Sequence, residues 1–310
     1  MPERFFNQTE DEERQYLRRV TDSVAAELNS YSAKVRSRHA EASELVNELQ
    51  ENRGDMDHAE KANMRQSVNL MTRVTEHSVD QQRRLSRQVN SPYFGRIDVS
   101  RHDETSEHPI YIGVHSFYDQ EAEQQLVHDW RAPVSSMFYE YELGPAGYEA
   151  PSGRVECELL RKRQYRIENR ELVFMLDTSL NIQDDILQTE LSRASDEKMR
   201  NIVATIQRDQ NAIIRNEQAQ SLIIQGAAGS GKTSIALHRI AFVLYRHKDT
   251  IRSQDVLIIS PNKVFAHYIS QVLPELGEQM IQEMTMEELA ARELGHRVKF
   301  QTFAQQVTQL

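Results

Sequence analysis

The stretch Gly226-Ala227-Ala228-Gly229-Ser230-Gly231-Lys232-Thr233 decides the fold of the C-terminal part of this chain. It matches the pattern G-x-x-x-x-G-K-[ST], follows the apolar run Leu222-Ile223-Ile224 and precedes an amphipathic segment. Glycines in such a loop let backbone N–H groups turn inward around phosphate oxygens, and the N-terminus of the next helix adds further donors. The sequence therefore predicts a strand, a phosphate-binding loop and a helix in succession.

Two residues of this loop carry side chains suited to chemistry on a nucleotide. The Lys232 ammonium is predicted to reach the β- and γ-phosphates, and the Thr233 hydroxyl is predicted to ligate Mg²⁺. ATP and Mg²⁺ are therefore the expected cofactors, and all eight loop residues are candidate nucleotide ligands: Gly226, Ala227, Ala228, Gly229, Ser230, Gly231, Lys232 and Thr233. The alternative is a chance glycine loop, which the flanking strand and helix patterns disfavour.

ATP hydrolysis requires more than this loop. A P-loop ATPase also needs an acidic residue at a strand end to hold Mg²⁺, and usually an arginine for the developing charge. A second apolar run, Val256–Ile259, predicts a parallel strand, but no later apolar run ends in Asp or Asp-Glu. We expect residues 183–310 to form a partial P-loop domain, truncated before the Walker B strand, with negligible ATP hydrolysis by this chain alone.

Residues 10–90 have the pattern of two long helices. Apolar or small residues recur at steps of mostly three and four, nearly in heptad register, at Leu17, Val20, Val24, Leu28, Tyr31, Val35, Ala42, Leu45 and Leu49. Gly54 is a natural helix stop, and Asp55 can cap the next helix. Residues 1–91 are therefore predicted to form an antiparallel α-helical coiled-coil hairpin, whose arms are about 50–60 Å long at 1.5 Å per residue.

Residues 92–182 change to short β-like runs, which predict a small antiparallel β module. Pro92 ends the second helix, because proline lacks a backbone donor. The predicted strands include Ile110–Ile112, Ser136–Tyr141, Val155–Leu159, Gln164–Ile167 and Leu172–Leu176. The last two flank the short turn Glu168-Asn169-Arg170, which indicates a hairpin. A capping box at Thr285–Glu288 predicts a final helix that closes at Gly295.

Composition limits the class of protein. The chain has 310 residues, 37 basic against 47 acidic, and a net charge of −10. The mean hydropathy of −0.65 and the absence of a long apolar run exclude a transmembrane span. The single cysteine, Cys157, cannot form an internal disulfide and is predicted to be a small buried residue. We expect a cytoplasmic protein with no membrane partner.

The loop and the residues before it resemble superfamily 1 helicases of the UvrD/Rep type, which implies a RecA-like domain. In that family a glutamine upstream of the loop reads the adenine edge. The resemblance implies this role for Gln210 first and for Gln207 second. Ser260-Pro261-Asn262-Lys263 partly matches the family's next motif, which implies contact of Asn262 and Lys263 with single-stranded DNA.

Over its whole length the chain resembles the HelD family of UvrD-like proteins. The residues that carry the resemblance follow the hairpin, at Pro92–Asp98, Tyr111–Gly113, Asp129–Pro133 and Ala236–Ala241. The resemblance implies that the hairpin, residues 10–90, binds core RNA polymerase through its secondary channel. It also implies ATP-linked release of the polymerase from nucleic acid. The alternative is a UvrD-like ATP-dependent helicase that acts on DNA directly, with the hairpin as decoration.

Three features have both a structural and a functional interpretation. The acids Asp55, Asp57 and Glu60 at the hairpin tip are either a solvated turn or carboxylates that approach the polymerase Mg²⁺. Trp130 is either a core anchor, with Asp129 and Arg131 paired across a turn, or a coupling residue between the β module and the nucleotide domain. His238, on the predicted loop helix, is expected to pack rather than to react.

Overall fold

The computed structural model describes residues 9–51, 81–101, 107–177, 206–227, 229–261 and 281–295, and single positions 63, 66, 78, 79, 269, 272, 273, 276 and 278. The chain divides into two compact units, Met1–Asp185 and Ile186–Leu310. The three predicted domain spans, 1–91, 92–182 and 183–310, stay predictions. The mixed fold, with a long N-terminal helix and a mainly antiparallel sheet, is confirmed.

Helix α1, Glu10–Glu51, is 42 residues long. Its start is fixed by a reciprocal capping box: the Glu12 N–H donates to Thr9 Oγ1 at 3.3 Å, and the Thr9 N–H donates to Glu12 Oε2 at 3.0 Å. A second helical stretch, α2 (81–90), ends just before Pro92. The Gln82 amide donates to Ser32 Oγ at 3.0 Å, so α2 contacts α1. The predicted tip, with Gly54, Asp55, Asp57 and Glu60, lies outside the described residues, and the coiled-coil hairpin stays a prediction.

Seven strands form one sheet in the part of the N-terminal unit that the structure describes. They are β1 Gly95–Ser100, β2 Glu107–Gly113, β3 Phe117–Asp119, β4 Gln124–Asp129, β5 Gly144–Ala150, β6 Gly153–Glu168 and β7 Glu171–Asp177. The order is β3-β4-β2-β1-β6-β5, and β7 also pairs with β6. All pairs are antiparallel except β2 with β4. The predicted antiparallel β region is thus confirmed as a sheet.

The hairpin between β6 and β7 is confirmed. Strand β6 runs to Glu168, which pairs with Glu171, so the loop between the strands is Asn169-Arg170. Both residues have positive φ, 50° and 70°. A two-residue turn with both residues in the left-handed region matches the twist of the flanking strands. This turn therefore depends on adjacent residues, so it can be predicted from a short stretch of sequence.

The predicted strand Ser136–Tyr141 is wrong. A 3₁₀ turn, Pro133–Ser135, leads into the short helix α3, Ser136–Glu140. Pro133 sits at the first position of the turn, where its missing N–H is not needed. Met137, Phe138 and Tyr139 are consecutive and all buried. Successive side chains of a helix lie about 100° apart around its axis, so burial of all three means that this short helix is covered on more than one side.

The core of the N-terminal unit lies between the two helices and the sheet. Its buried members are Tyr16, Leu17, Val20, Val24, Leu85, Val89, Tyr93, Tyr111, Phe117, Leu126, Val127, Tyr165, Ile167 and Leu172. They come from α1, α2 and several strands, so the base of the helical region and the sheet share one core. Helix α3 covers the opposite face, where the Phe94 and Phe138 rings meet edge to face at 6.1 Å.

The C-terminal unit contains helices α4 Arg208–Ile214, α5 Lys232–Arg246 and α6 Met286–Leu294. A 3₁₀ turn, Ser253–Asp255, precedes strand β8, Leu257–Ser260, which pairs in parallel with β9, Gln282–Thr285. The predicted final helix is confirmed: the Glu288 N–H donates to Thr285 Oγ1 at 3.2 Å, and α6 ends before Gly295. The RecA-like domain as a whole stays a prediction.

The predicted strand Leu222-Ile223-Ile224 is not formed. These residues have no regular secondary structure, and the Ile223 side chain is 91% exposed. A strand exists only when its N–H and C=O groups find a neighbouring strand. No strand in the described residues pairs with this run, so an apolar pattern alone was insufficient.

Candidate functional site

The predicted phosphate-binding loop, residues 226–233, joins residues 222–225, which have no regular secondary structure, to helix α5. Gly229 and Gly231 have φ of +81° and +80°, the left-handed region that glycine adopts without strain. Gly231 is the N-cap of α5, and Lys232 and Thr233 open the helix. The spacing of the motif thus places its two functional side chains in the first helical turn. Ala228 lies outside the described residues.

The first half of the loop folds tightly over the second. A Cβ atom added at Gly226 would lie 2.6 Å from Ser230 Oγ, closer than real Cβ atoms come to an oxygen. The Ser230 N–H donates to the Ala227 carbonyl at 3.3 Å. A Cβ at Gly226 would therefore displace the Ser230 hydroxyl, whereas Gly229 and Gly231 have backbone angles that favour glycine.

Lys232 supplies the positive charge of the loop. Its Nζ donates to the Gly226 carbonyl at 2.9 Å and to the Ala227 carbonyl at 2.6 Å. The ammonium group thus lies over the loop, beside the N-terminus of a 15-residue helix. Because Gly231 has no side chain that could cap this terminus, its amide donors suit an anion. This set of donors fits phosphate.

Gln210 is brought to the same loop by helix α4. The Gln210 amide nitrogen lies 3.8 Å from the position that a Cβ would take at Gly231. Its carbonyl oxygen accepts the Gln207 N–H at 3.2 Å, which ties the side chain to the start of α4. Gln207 is the exposed N-cap of this helix. Of the two candidate glutamines, the structure places Gln210 beside the loop.

Helix α4 is fastened to α5 by a row of contacts that the sequence analysis missed. Arg239 Nη1 donates to the carbonyls of Ile213, at 2.9 Å, and Ile214, at 3.3 Å. The Arg215 guanidinium lies over the Phe242 ring at 5.2 Å, and Arg246 Nε donates to Glu217 Oε1 at 2.9 Å. Positions 239, 242 and 246 share one face of a helix, and this spacing was the available signal.

His238 has the predicted packing role. It is 1% exposed, and its Nδ1 lies 2.6 Å from the Ser234 carbonyl oxygen, one turn earlier. Burial lowers its pKa, although the hydrogen bond to Ser234 opposes this effect. The ring is therefore neutral at pH 7 and sits on the core side of α5.

Several predicted site residues lie outside the described part of the chain. These are Asn262 and Lys263, assigned to single-stranded DNA, and the tip acids Asp55, Asp57 and Glu60. Across the described residues, no group of His, Cys, Asp and Glu side chains could hold a metal ion. Over the same residues, no helix is long and apolar enough to cross a membrane.

The N-terminal unit contains an ionic cluster, which we call the Glu13 cluster: Glu13, Arg96, Asp98 and Arg163 are buried, and Asp177 lies at its exposed edge. The Glu13 carboxylate is 0% exposed and accepts bonds from Arg96, from Arg163 at 3.2 Å and from the Tyr165 hydroxyl at 2.8 Å. Arg96 also binds Asp98 with both arms of its guanidinium, at 2.6 and 2.9 Å. The cluster ties α1 to strands β1, β6 and β7. Sequence analysis missed it because its members are far apart in the chain.

Trp130 is confirmed as a core anchor. Its side chain is 0% exposed, and its backbone N–H donates to the Gly113 carbonyl at 2.9 Å. Arg131 binds both carboxylate oxygens of Asp129, each at 2.8 Å, which is the predicted pair across the turn. Cys157 is also buried as predicted. The alternative role of Trp130 in coupling to the nucleotide domain stays a prediction.

Comparison with known families assigns the chain. Residues 10–198 match the family described as DNA helicase IV HelD, N-terminal domain. No curated protein sequence matches the chain. The matched span covers more than half of the chain and includes α1, the whole sheet and the turn at Asp129–Arg131. This chain therefore belongs to the HelD family of helicase-related proteins and contains the N-terminal domain of that family.

Proposed function

We propose that this chain is part of a HelD-type ATPase that binds core RNA polymerase and helps release it from nucleic acid. The observation that carries the proposal is the loop geometry at α5: two left-handed glycines, an uncapped helix N-terminus and the Lys232 ammonium over the loop. This arrangement occurs in a chain of the HelD family. It supports nucleotide binding as the first activity to test.

Each part of the nucleotide has a candidate holder. Backbone amides of the loop and Lys232 would hold the phosphates, because phosphate oxygens are stronger acceptors for an ammonium than backbone carbonyls are. The Thr233 hydroxyl would hold Mg²⁺, which neutralises phosphate charge when bound. Gln210, beside Gly231, would contact the adenine.

The helical arm supports the polymerase-binding part of the proposal. Near its start, α1 is fixed to the sheet through the buried Glu13. Every described side chain from Arg36 to Asn47 is exposed. A helix of 42 residues spans about 60 Å, so its outer part is available for a partner. An anchored base and an exposed outer arm suit insertion into a channel.

The test measures two binding events on the same chain. Lys232→Ala should weaken binding of Mg–ATP at least tenfold by titration calorimetry, because it removes the charge over the loop. Lys248→Ala, an exposed lysine just after α5, is the matched control and should change nothing. Capture of core RNA polymerase should survive both substitutions. Loss of polymerase capture in a folded Lys232→Ala protein would contradict the proposal that the hairpin binds polymerase independently of the nucleotide site.

A second candidate is a helicase that acts on DNA directly. The observation in its favour is the description of the matched family as a DNA helicase. Under this alternative, the chain binds single-stranded DNA with an affinity that falls steeply as salt rises, since phosphate contacts release counterions. Fluorescence anisotropy with a labelled oligonucleotide measures this. DNA binding together with a failure to capture polymerase would favour the helicase.

A further inference from the structure

Arg239 holds the helix that presents Gln210. Its guanidinium, on α5, donates to the carbonyls of Ile213 and Ile214 at the end of α4. The last carbonyls of a helix have no partner within the helix and carry partial negative charge, so they suit a buried or half-buried cation. Arg239 is half-buried at this junction. The contact therefore joins α5, the helix that follows the loop, to the end of α4.

Helix α4 depends on such contacts for its position. It has seven residues, and isolated helices of this length are unstable in water. Gln210 lies three residues before Ile213, about 5 Å along the helix axis at 1.5 Å per residue. A shift at the Arg239 end of so short a helix is therefore transmitted to Gln210 and changes its 3.8 Å approach to the loop.

We propose that Arg239 is a positioning residue that sets the base selectivity of the nucleotide site through Gln210. This inference rests on the proposed function, because it takes the loop to bind a nucleotide and Gln210 to contact the base. In this proposal, Arg239 itself contacts neither the base nor the phosphates of the nucleotide. Its effect should therefore appear in the preference between bases and not in the binding of the phosphates.

The same helix provides a matched control. Arg246 also lies on α5 and also contacts the segment after α4, through Glu217. That pair is half exposed on both sides, and exposed ion pairs contribute little to stability. It also lies beyond the end of α4. Arg246→Ala thus removes the same side-chain type from the same helix without releasing the carbonyls of α4.

The experiment measures the dissociation constants of Mg–ATP and Mg–GTP for the full chain by titration calorimetry. Arg239→Ala should reduce the preference for ATP about three- to tenfold, the range expected for one hydrogen bond to the base. Arg239→Lys should restore part of the preference, since an ammonium can still donate to a carbonyl. Gln210→Ala should lose as much, and adding Arg239→Ala to it should cause little further loss, because both act through one contact. Arg246→Ala should match the wild type.

The outcomes separate the inference from the proposed function. An unchanged ATP-to-GTP ratio in a folded Arg239→Ala protein overturns the inference, and so does an equal weakening of both nucleotides. Additive losses in the double variant overturn it as well, and so does a wild type with no base preference. If the wild type binds neither triphosphate, the proposed function fails and takes the inference with it. If nucleotide binding requires Lys232 but the ATP-to-GTP ratio does not change in Arg239→Ala, only the inference fails.

Discussion

The two units of this chain differ in where some of their charged and apolar side chains lie. In the N-terminal unit, Glu13 and Arg96 are 0% and 1% exposed and bind each other inside the protein. In the C-terminal unit, Ile223 and Ile259 are 91% and 47% exposed, whereas the Arg246–Glu217 pair lies at the surface.

This difference indicates which residues determine the stability of the fold and which are available for ligand binding. Buried charges that are fully paired fix one arrangement of helix and strands, because any other arrangement leaves an unpaired charge inside. Binding loops, by contrast, need backbone donors that stay accessible. We therefore expect substitutions in the N-terminal unit to affect mainly unfolding, and substitutions around the loop to affect mainly ligand binding. The following predictions are ordered by expected size.

The largest effect should come from Glu13→Ala. It leaves the Arg96 and Arg163 guanidinium groups and the Tyr165 hydroxyl without their shared acceptor in the core. Removing one partner of a buried ion pair costs about 3–5 kcal/mol of unfolding free energy. Urea denaturation followed by fluorescence measures this, because Trp130 is the chain's only tryptophan and lies in this unit. Glu10→Ala, which removes an exposed pair with Arg14, should cost less than about 0.5 kcal/mol. Equal losses of unfolding free energy in Glu13→Ala and Glu10→Ala would contradict the expected difference between buried and exposed ion pairs.

Gly113→Ala should have the next largest effect. A Cβ at this position would lie 2.3 Å from the Pro92 carbonyl oxygen and 2.8 Å from Val127 Cγ1. The backbone cannot yield without moving the segment between α2 and β1 away from the end of β2, so we expect a loss of about 1–3 kcal/mol. Gly229→Ala, in the loop, adds a Cβ with nothing within 4 Å and should cost about 1 kcal/mol through its φ alone. If Gly229→Ala proved the costlier of the two, the packing argument would be wrong.

A pH dependence should come from His115, between β2 and β3. Burial, and then the charges of Arg84, Arg131 and Arg87, hold its pKa well below 6.5. A histidine with a depressed pKa in the folded state favours folding above its unfolded pKa, and this contribution is lost as the pH falls. The unfolding free energy should therefore decrease below about pH 6.5, by at most about 1.4 kcal/mol per pH unit for one proton. His115→Asn should flatten this slope in denaturation curves at pH 5–7.5, compared with the wild type.

The smallest effect should come from Ile223→Ser. Because this side chain is already 91% exposed, its loss should change the unfolding free energy by less than about 0.5 kcal/mol. Thermal unfolding followed by circular dichroism checks this. Ile97→Ser, at a 0% exposed position of β1, is the contrasting substitution and should destabilise the protein strongly. A large loss from Ile223→Ser would mean that the C-terminal unit buries this residue in solution.

Structure could be predicted from the sequence where a few adjacent residues determine it. The start of α5 after Gly231, the turn at Asn169-Arg170 and the capping box at Thr285 and Glu288 all depend on contacts within four residues. Such chemistry can be read in a short window.

Structure could not be predicted from the sequence where residues far apart in the chain determine it. The pattern of Ser136–Tyr141 predicts a strand although Ser136–Glu140 is a helix, because a short apolar run fits either structure. The Glu13 cluster joins residues 83 and 150 positions apart, and a linear pattern contains no trace of such pairs. The contact between Arg239 and Ile213 joins residues 26 positions apart, so the candidate site was recognised from its loop but not from the helix that supports it.

The hydrogen bond between Glu13 and Arg163 also sets an order of events during protein synthesis. The two residues are separated by 150 positions. At about 5–20 residues per second, the ribosome needs about 8–30 s to make the intervening chain. In the later part of that interval, α1 and β1 have been made, whereas Arg163 and the rest of β6 have not. A nascent chain stalled before β6 can pair Glu13 with Arg96 but not with Arg163 or Tyr165, so it lacks part of the set of contacts that fixes α1 to the sheet.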